Sequence, residues 1–194
     1  MAKLYIFDLG NVVLKNVDVR EKMIELLGID SKEFFIEYGH YDFPIMDGTF
    51  KISDFYRHIE HVFGIKVPGD PFKDFFNPVE NVPIVNIIKA LRDSGKRVVC
   101  ASNTCSPHWE VMCDMKVNKL FDACYVSHIM GLTKPSKAFF NYVLSHENVQ
   151  AHEAVFVDDY EENIIGAKGV GINALWYGHT LTDENLSKEI LSKL

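Results

Sequence analysis

The chain is short of almost everything that marks a membrane, secreted or nucleic-acid-binding protein. No apolar run approaches the roughly 18 residues of a membrane span. The amino end, MAKLYIFD, has one Lys and a short apolar run that Asp8 interrupts, whereas a secretory signal needs about 7–15 continuous apolar residues. Basic runs are missing as well. Only 20 Lys and Arg stand against 27 Asp and Glu, a formal charge of −7, which is a poor match to a phosphate backbone. The four cysteines contain no C-x-x-C pair. Cys100, Cys105, Cys113 and Cys124 cluster near His108, which raises zinc as an idea. Yet Cys100 and Cys124 fall in apolar, strand-like runs, where a free Cys behaves as a small hydrophobe, and free thiols fit a reducing compartment. The expectation is a monomeric cytoplasmic protein that binds a small molecule and neither a membrane nor a nucleic acid.

What is present is ordinary globular sequence. With 194 residues, 47% apolar and 24% charged, there is one domain's worth of chain, room for an insertion, and enough apolar surface for a core without disulfides. Short apolar runs alternate with helical stretches. Leu4–Phe7, Arg97–Ala101, Ala123–Val126, Ala154–Val157 and Asn173–Trp176 read as buried strands. Val82–Leu91, a stretch through Phe139–Leu144, and about Glu162–Lys168 read as helices, with an amphipathic helix over Asp183–Leu194. This alternation predicts an α/β fold, a parallel sheet with helices on both faces. Residues 16–81 break it. They hold no convincing strand, and helical candidates lie at Val19–Leu27, Ser31–Glu37, Ile52–Phe63 and Pro71–Phe76. The segment is too long for one crossover and suits a small helical cap over the site. The predicted organisation is a core of residues 1–15 and 82–194 with a cap of 16–81.

In such sheets ligands bind beyond the carboxyl ends of the strands, and polar residues follow three of the strands. Asp8, Ser102-Asn103 and Asp158-Asp159 should therefore converge on one edge. Any one of the acids alone would read as a turn or helix cap. Together they repel one another, and a hard cation such as Mg²⁺, held by carboxylates and water, relieves that cost. Ser102 and Asn103 add neutral donors, and Lys134 adds a positive charge in a loop stiffened by Pro135. Carboxylates, cation, hydroxyl, amide and ammonium on one edge suit a phosphoryl group.

The motifs Phe7-Asp8-Leu9-Gly10-Asn11-Val12-Val13, Ala101-Ser102-Asn103-Thr104, Lys134-Pro135 and Val157-Asp158-Asp159, with Asn163 on the next helix, resemble the haloacid dehalogenase superfamily in its phosphatase division. FDLGNV followed by SNT is similar to its α-D-glucose-1-phosphate phosphatase branch. The resemblance implies a Rossmann-like core with a helical cap after the first motif and Mg²⁺ as cofactor. It also implies hydrolysis of small phosphate monoesters, sugar phosphates first among them. By the same resemblance Asp8 is the nucleophile that becomes an aspartyl-phosphate. Asp8, the Gly10 carbonyl and Asp159 bind the metal, and Asp158 supports it through its water shell. Ser102 and the Asn103 backbone hold phosphate oxygens, Lys134 bridges phosphate and nucleophile, and Asn163 acts behind them.

One position departs from the pattern. Most such phosphatases carry a second Asp two residues after the nucleophile as general acid and base, and here that residue is Gly10. The gap keeps two alternatives in play: a metal-independent 2-haloacid dehalogenase-like hydrolase, and a catalytically weak binding or regulatory protein. The pair Asp158-Asp159 weighs against the dehalogenase, which needs no metal carboxylates. His40-Tyr41-Asp42-Phe43 and Met46-Asp47-Gly48-Thr49 read as a polar loop between cap helices, equally suited to a specificity loop or a solvated turn. His128, just after the third strand, is left out of the catalytic set.

Overall fold

The computed structural model describes residues 2–179 and 181–191. Five parallel strands form the central sheet in the order β5-β4-β1-β6-β7. They are β1 (Leu4–Phe7), β4 (Arg97–Ser102), β5 (Ala123–Val126), β6 (Ala154–Asp158) and β7 (Asn173–Trp176). Alternation along a strand sends successive side chains to opposite faces. Tyr5 and Phe7 join Val98, Cys100, Val155 and Val157 in one apolar cluster, while Leu4 and Ile6 join Val99, Ala101 and Phe156 in the other. Both faces must then be covered. Helix α6 (Val82–Asp93) packs Ile84, Ile88 and Leu91 into the first cluster, and α9 (Lys137–Glu147) and α10 (Glu161–Lys168) pack Phe139, Phe140 and Ile164 into the second. The terminal helix α11 (Asp183–Leu191) adds Leu186 and Ile190 to the first cluster. Residues 192–194 of the predicted terminal helix lie outside the described residues.

The strands run as expected, except that β4 and β6 each take one more residue and so end on Ser102 and Asp158. Other elements correct the sequence reading. A two-residue strand, β3 (Val79–Glu80), pairs antiparallel with β2 (Leu14–Lys15), inside a segment expected to hold no strand. Two residues are too few for a period to show. Helix α7 (Ser106–Asp114), unread in the sequence, follows the polar turn after β4, and a single helical turn α8 (Ser127–Met130) follows β5.

Between β2 and β3 lie helices α1 (Arg20–Leu27), α2 (Ser31–Gly39), α3 (Asp42–Met46), α4 (Ile52–Phe63) and α5 (Pro71–Asp74). Asp30 caps α2 by accepting from the Lys32 and Glu33 amides. The expected polar loop at His40–Thr49 contains α3, because Ile45 is buried as an anchor and the Tyr38 hydroxyl donates to Asp42 at 2.8 Å. Gly48 then turns with φ 79°, and an added Cβ would meet the His128 carbonyl at 2.3 Å. This segment therefore presses directly on α8. Its rings Phe34, Tyr38, Phe55 and Phe72 pack with centroids 5.5–6.3 Å apart and belong to the same apolar cluster as one face of the sheet. Among the described residues no helix is long and apolar enough to cross a membrane.

All four cysteines are free thiols. Cys100 and Cys124 are register partners on β4 and β5. His108, on α7, stacks on Phe76 with centroids 3.9 Å apart and 9° between planes, and on Phe72 at 5.5 Å.

Helix α10 lies close against the loop after α8, and Gly166 permits it. A Cβ there would fall 2.3 Å from the Pro135 carbonyl oxygen and 3.1 Å from the Phe140 ring. Gly166→Ala should destabilise the fold by about 1–3 kcal/mol through overpacking, read as a lower melting temperature. An unchanged melting temperature would contradict this close packing. A second expectation concerns His108, whose burial pushes its pKa down to about 4. An unfolded His takes up its proton near pH 6.5. As pH falls from about 6.5 to about 4, the unfolded chain gains a proton that the native chain refuses, and stability drops across that window. His108→Phe should abolish roughly 2–3 kcal/mol of this loss, measured by denaturant unfolding at pH 7 and pH 4.5. Parallel stability curves for the two proteins would show that the ring is not held neutral.

Candidate active site

The sheet delivers the predicted residues to one edge. Asp8 follows β1 directly, and its amide donates to the Val157 carbonyl on β6 at 2.9 Å. Ser102 ends β4 and Asp158 ends β6. Lys134 enters from the loop between α8 and α9. Its Nζ lies 2.8 Å from Asp8 Oδ1 and 2.7 Å from Asp158 Oδ2. All three groups are buried: Lys134 is 1% exposed, Asp158 0% and Asp8 8%.

Each member is held by something else. Asn103 places Lys134 through a reciprocal pair, its Nδ2 donating to the Lys134 carbonyl and its Oδ1 accepting from the Lys134 amide, both at 2.9 Å. Asn163, on the first turns of α10, donates to both carboxylate oxygens of Asp158 at 3.0 and 3.1 Å. The Tyr160 amide donates to Asp158 Oδ1 at 2.8 Å. Asp158 is therefore filled by protein donors. Asp159 stands nearer the surface, and its carboxylate accepts from Asn11 Nδ2 at 3.0 Å.

Burial pushes the Asp8 carboxyl up to about 7; Lys134 opposes this, while Asp158 and Asp159 add repulsion. Burial works against the charge on Lys134 too, but the pull of Asp158 and Asp8 outweighs it and holds the ammonium above its ordinary range. Burial also raises Asp159, with the Asn11 bond opposing it. One oxygen from each of Asp8, Asp158 and Asp159 lies within 4.8 Å of the others. Three carboxylates facing one ammonium leave an excess of negative charge. An all-oxygen donor set of this kind fits a hard divalent cation.

Gly10 sits in the turn after Asp8 without a positive φ, and an added Cβ would have Val17 Cγ2 as its nearest neighbour at 3.7 Å. The site opens into a cavity of about 270 Å³, walled by the loop after β1, by α2, α3 and α5, and by α7. Met46, from the expected polar loop, lines it.

Several participants escaped the sequence reading. Asn11 was quoted in the first motif without a role, yet it orients Asp159; its φ of 55° is one that Asn tolerates better than most residues. The indole N–H of Trp176, at the end of β7, donates to the Asp159 carbonyl at 3.0 Å. Ser127 braces the turn after β4, accepting from the Thr104 amide at 2.9 Å and donating to the Thr104 carbonyl at 3.2 Å. His128 Nδ1 lies 3.0 Å from that same carbonyl, so it steadies the turn from behind.

Comparison with known proteins identifies the family and the fold. The haloacid dehalogenase-like hydrolase family matches residues 5–177. A sesquiterpene phosphatase of Aspergillus oryzae is 26% identical over 89% of this chain and 88% of its own length. A D-ribitol-5-phosphate phosphatase of Bacteroides thetaiotaomicron is also 26% identical, over 88% of this chain and 89% of its own. Among solved structures, an enzyme of the same family from B. thetaiotaomicron, in complex with magnesium and inorganic phosphate, superposes with a TM-score of 0.79 at 22% identity, covering 94% of this chain and 97% of that one. A HAD-like hydrolase from Porphyromonas gingivalis superposes at 0.83, with 18% identity and 98% of both chains covered. With a family match spanning all four motifs and every strand of the sheet, the chain belongs to the haloacid dehalogenase-like hydrolases.

Proposed function

We propose that the protein is a Mg²⁺-dependent phosphatase that hydrolyses small phosphate monoesters through an aspartyl-phosphate on Asp8. The observation that carries this reading is the buried triad Asp8–Lys134–Asp158 with Asp159 beside it. In the first step an Asp8 carboxylate oxygen attacks phosphorus, the bond to the leaving oxygen breaks, and the departing alkoxide takes its proton from water. In the second, water displaces the phosphoryl group, giving inorganic phosphate and restoring the carboxylate. Lys134 faces charge developing between nucleophile and phosphate, and Ser102 with the Asn103 backbone borders the phosphate position. The metal, when bound, neutralises charge on the phosphoryl oxygens. Asp8, the Gly10 carbonyl and Asp159 would hold it, while Asp158, already filled by Lys134, Asn163 and the Tyr160 amide, acts through its surroundings. The magnesium and phosphate in the Bacteroides structure support this pairing.

The dehalogenase alternative is disfavoured because a metal-free reaction gives no reason to gather Asp158 and Asp159 beside Asp8. We read residues 16–81 as a cap on a core of residues 1–15 and 82–194. Tyr38, Met46 and Phe72 of that segment supply part of the cavity wall. The names of the relatives pull the substrate two ways. The ribitol 5-phosphate enzyme supports the sugar phosphate expected from the sequence, and the sesquiterpene phosphatase supports an apolar leaving group.

Asp8→Asn should abolish turnover of p-nitrophenyl phosphate, and EDTA should silence the unmodified enzyme until Mg²⁺ is returned. Asp159→Ala should weaken the apparent Mg²⁺ affinity far more than Ser102→Ala. Undiminished turnover by Asp8→Asn, checked for deamidation, would overturn the nucleophile assignment.

Gly10 yields a separate expectation. General acid help is worth about 10²–10⁴-fold, so its absence should penalise primary alkyl phosphates far more than aryl ones. A Cβ added at Gly10 would meet its nearest neighbour at an ordinary contact distance of 3.7 Å. Gly10→Asp should therefore narrow the aryl-to-alkyl ratio of kcat at least tenfold. A ratio that does not move would mean that another group already supplies the acid.

A further inference from the structure

The cavity changes character along its length. Its polar border is Asn11, which bonds Asp159, and Ser102–Thr104. Beyond that its wall is Val17, Val19, Phe72, Phe76 and Met112, with His108 between them. His108 adds no charge to this wall, because burial keeps the ring neutral. It presents a flat face stacked on Phe76. The remaining polar groups are engaged with one another. Arg20 donates to Asp18 through Nε at 2.8 Å and rests over the Tyr38 ring at 6.0 Å. The Tyr38 hydroxyl is taken by Asp42. His108 Nε2 has no partner, but it is shut away from the surface.

A polyol entering this cavity would lose water from each hydroxyl. Such a group, buried without a partner, costs about 1–3 kcal/mol. A sugar site offers several convergent donors and acceptors, whereas beyond the phosphate end the polar groups of this wall are Arg20 and Asp18, paired with each other, and Tyr38 and Asp42, likewise paired. An apolar leaving group pays no such penalty and gains from every methylene it buries. We infer that the enzyme acts on phosphate monoesters of apolar alcohols, with the hydrocarbon body against Phe72, Phe76, Met112 and Val17 and the phosphate at Asp8. The inference rests on the phosphatase reading and narrows it to one class of substrate.

The test compares primary esters only, so that leaving-group acidity is matched and the absent acid at Gly10 affects all of them alike. Ethyl, butyl and hexyl phosphate are set against glucose 6-phosphate and ribitol 5-phosphate, with p-nitrophenyl phosphate as the general phosphatase substrate. The expected result is a kcat/KM that climbs about three- to fourfold per added methylene, the transfer value for a buried CH₂, until the cavity is filled. Hexyl phosphate should exceed both sugar phosphates at least tenfold. Val17 and Met46 are only partly buried, so Val17→Asn and Met46→Gln can be made without opening the core, and each should flatten the climb. A sugar phosphate that outperforms hexyl phosphate, or a chain-length series with no slope, overturns the inference and leaves the phosphatase standing. Failure to cleave any ester, p-nitrophenyl phosphate included, overturns both.

Discussion

The structure turns on one buried ammonium. Lys134 is the group that lets Asp8 and Asp158 sit side by side under the surface. A carboxylate in that position costs several kcal/mol of desolvation, and breaking a buried pair by removing one partner costs about 3–5 kcal/mol. Lys134 cannot drift, because Asn103 grips its backbone from both sides and α10 presses on Pro135 through Gly166. The order of strands follows from the same need. With β1 in the centre and β6 beside it, Asp8 after β1 and Asp158 at the end of β6 are brought within reach of a single cation.

Charge balance explains why the site remains open to a further ion. Lys134 lies against two carboxylates, and Asp159 brings a third, which Asn11 bonds. The upward shifts at Asp8 and Asp159 share burial as their chief cause, and a divalent cation favours the charged form of each. In the proposed reaction, a cation added here stabilises the protein and also holds Asp8 ionised, the form that attack on phosphorus requires.

Much of this was legible because it depends on short, local patterns. The five apolar runs and the polar residue after each of three of them appear in the sequence as unbroken signals, and a parallel sheet leaves little freedom in where their ends meet. Elements whose stability is tertiary were harder to read. Helix α7 has a weak apolar stripe and is held by His108 stacking on Phe72 and Phe76, contacts made across more than 30 residues. The β2–β3 ribbon is two residues wide. Asn11, Trp176 and Ser127 act through hydrogen bonds to partners distant in sequence, and no spacing rule announces such bonds. Lys134 was legible as a charge, but its second partner, Asp158, was visible only in three dimensions.

The glycine at position 10 and the apolar cavity belong to one arrangement. A side chain at that position would begin 3.7 Å from Val17 Cγ2, at the junction where the polar end of the cavity gives way to its apolar wall. A carboxylate placed there would have to stay hydrated or find a partner, and Lys134 and Arg20 are already engaged by acids. It would either draw water into the wall or be driven neutral. Glycine avoids both outcomes. In the proposed reaction the cost is a leaving group that departs without a built-in proton donor at this position, so the step leans on the charge stabilisation assigned to Lys134 and the cation. A site of this kind trades some chemical assistance for an apolar surface beside the scissile bond, which is an advantage only if the leaving group is itself apolar.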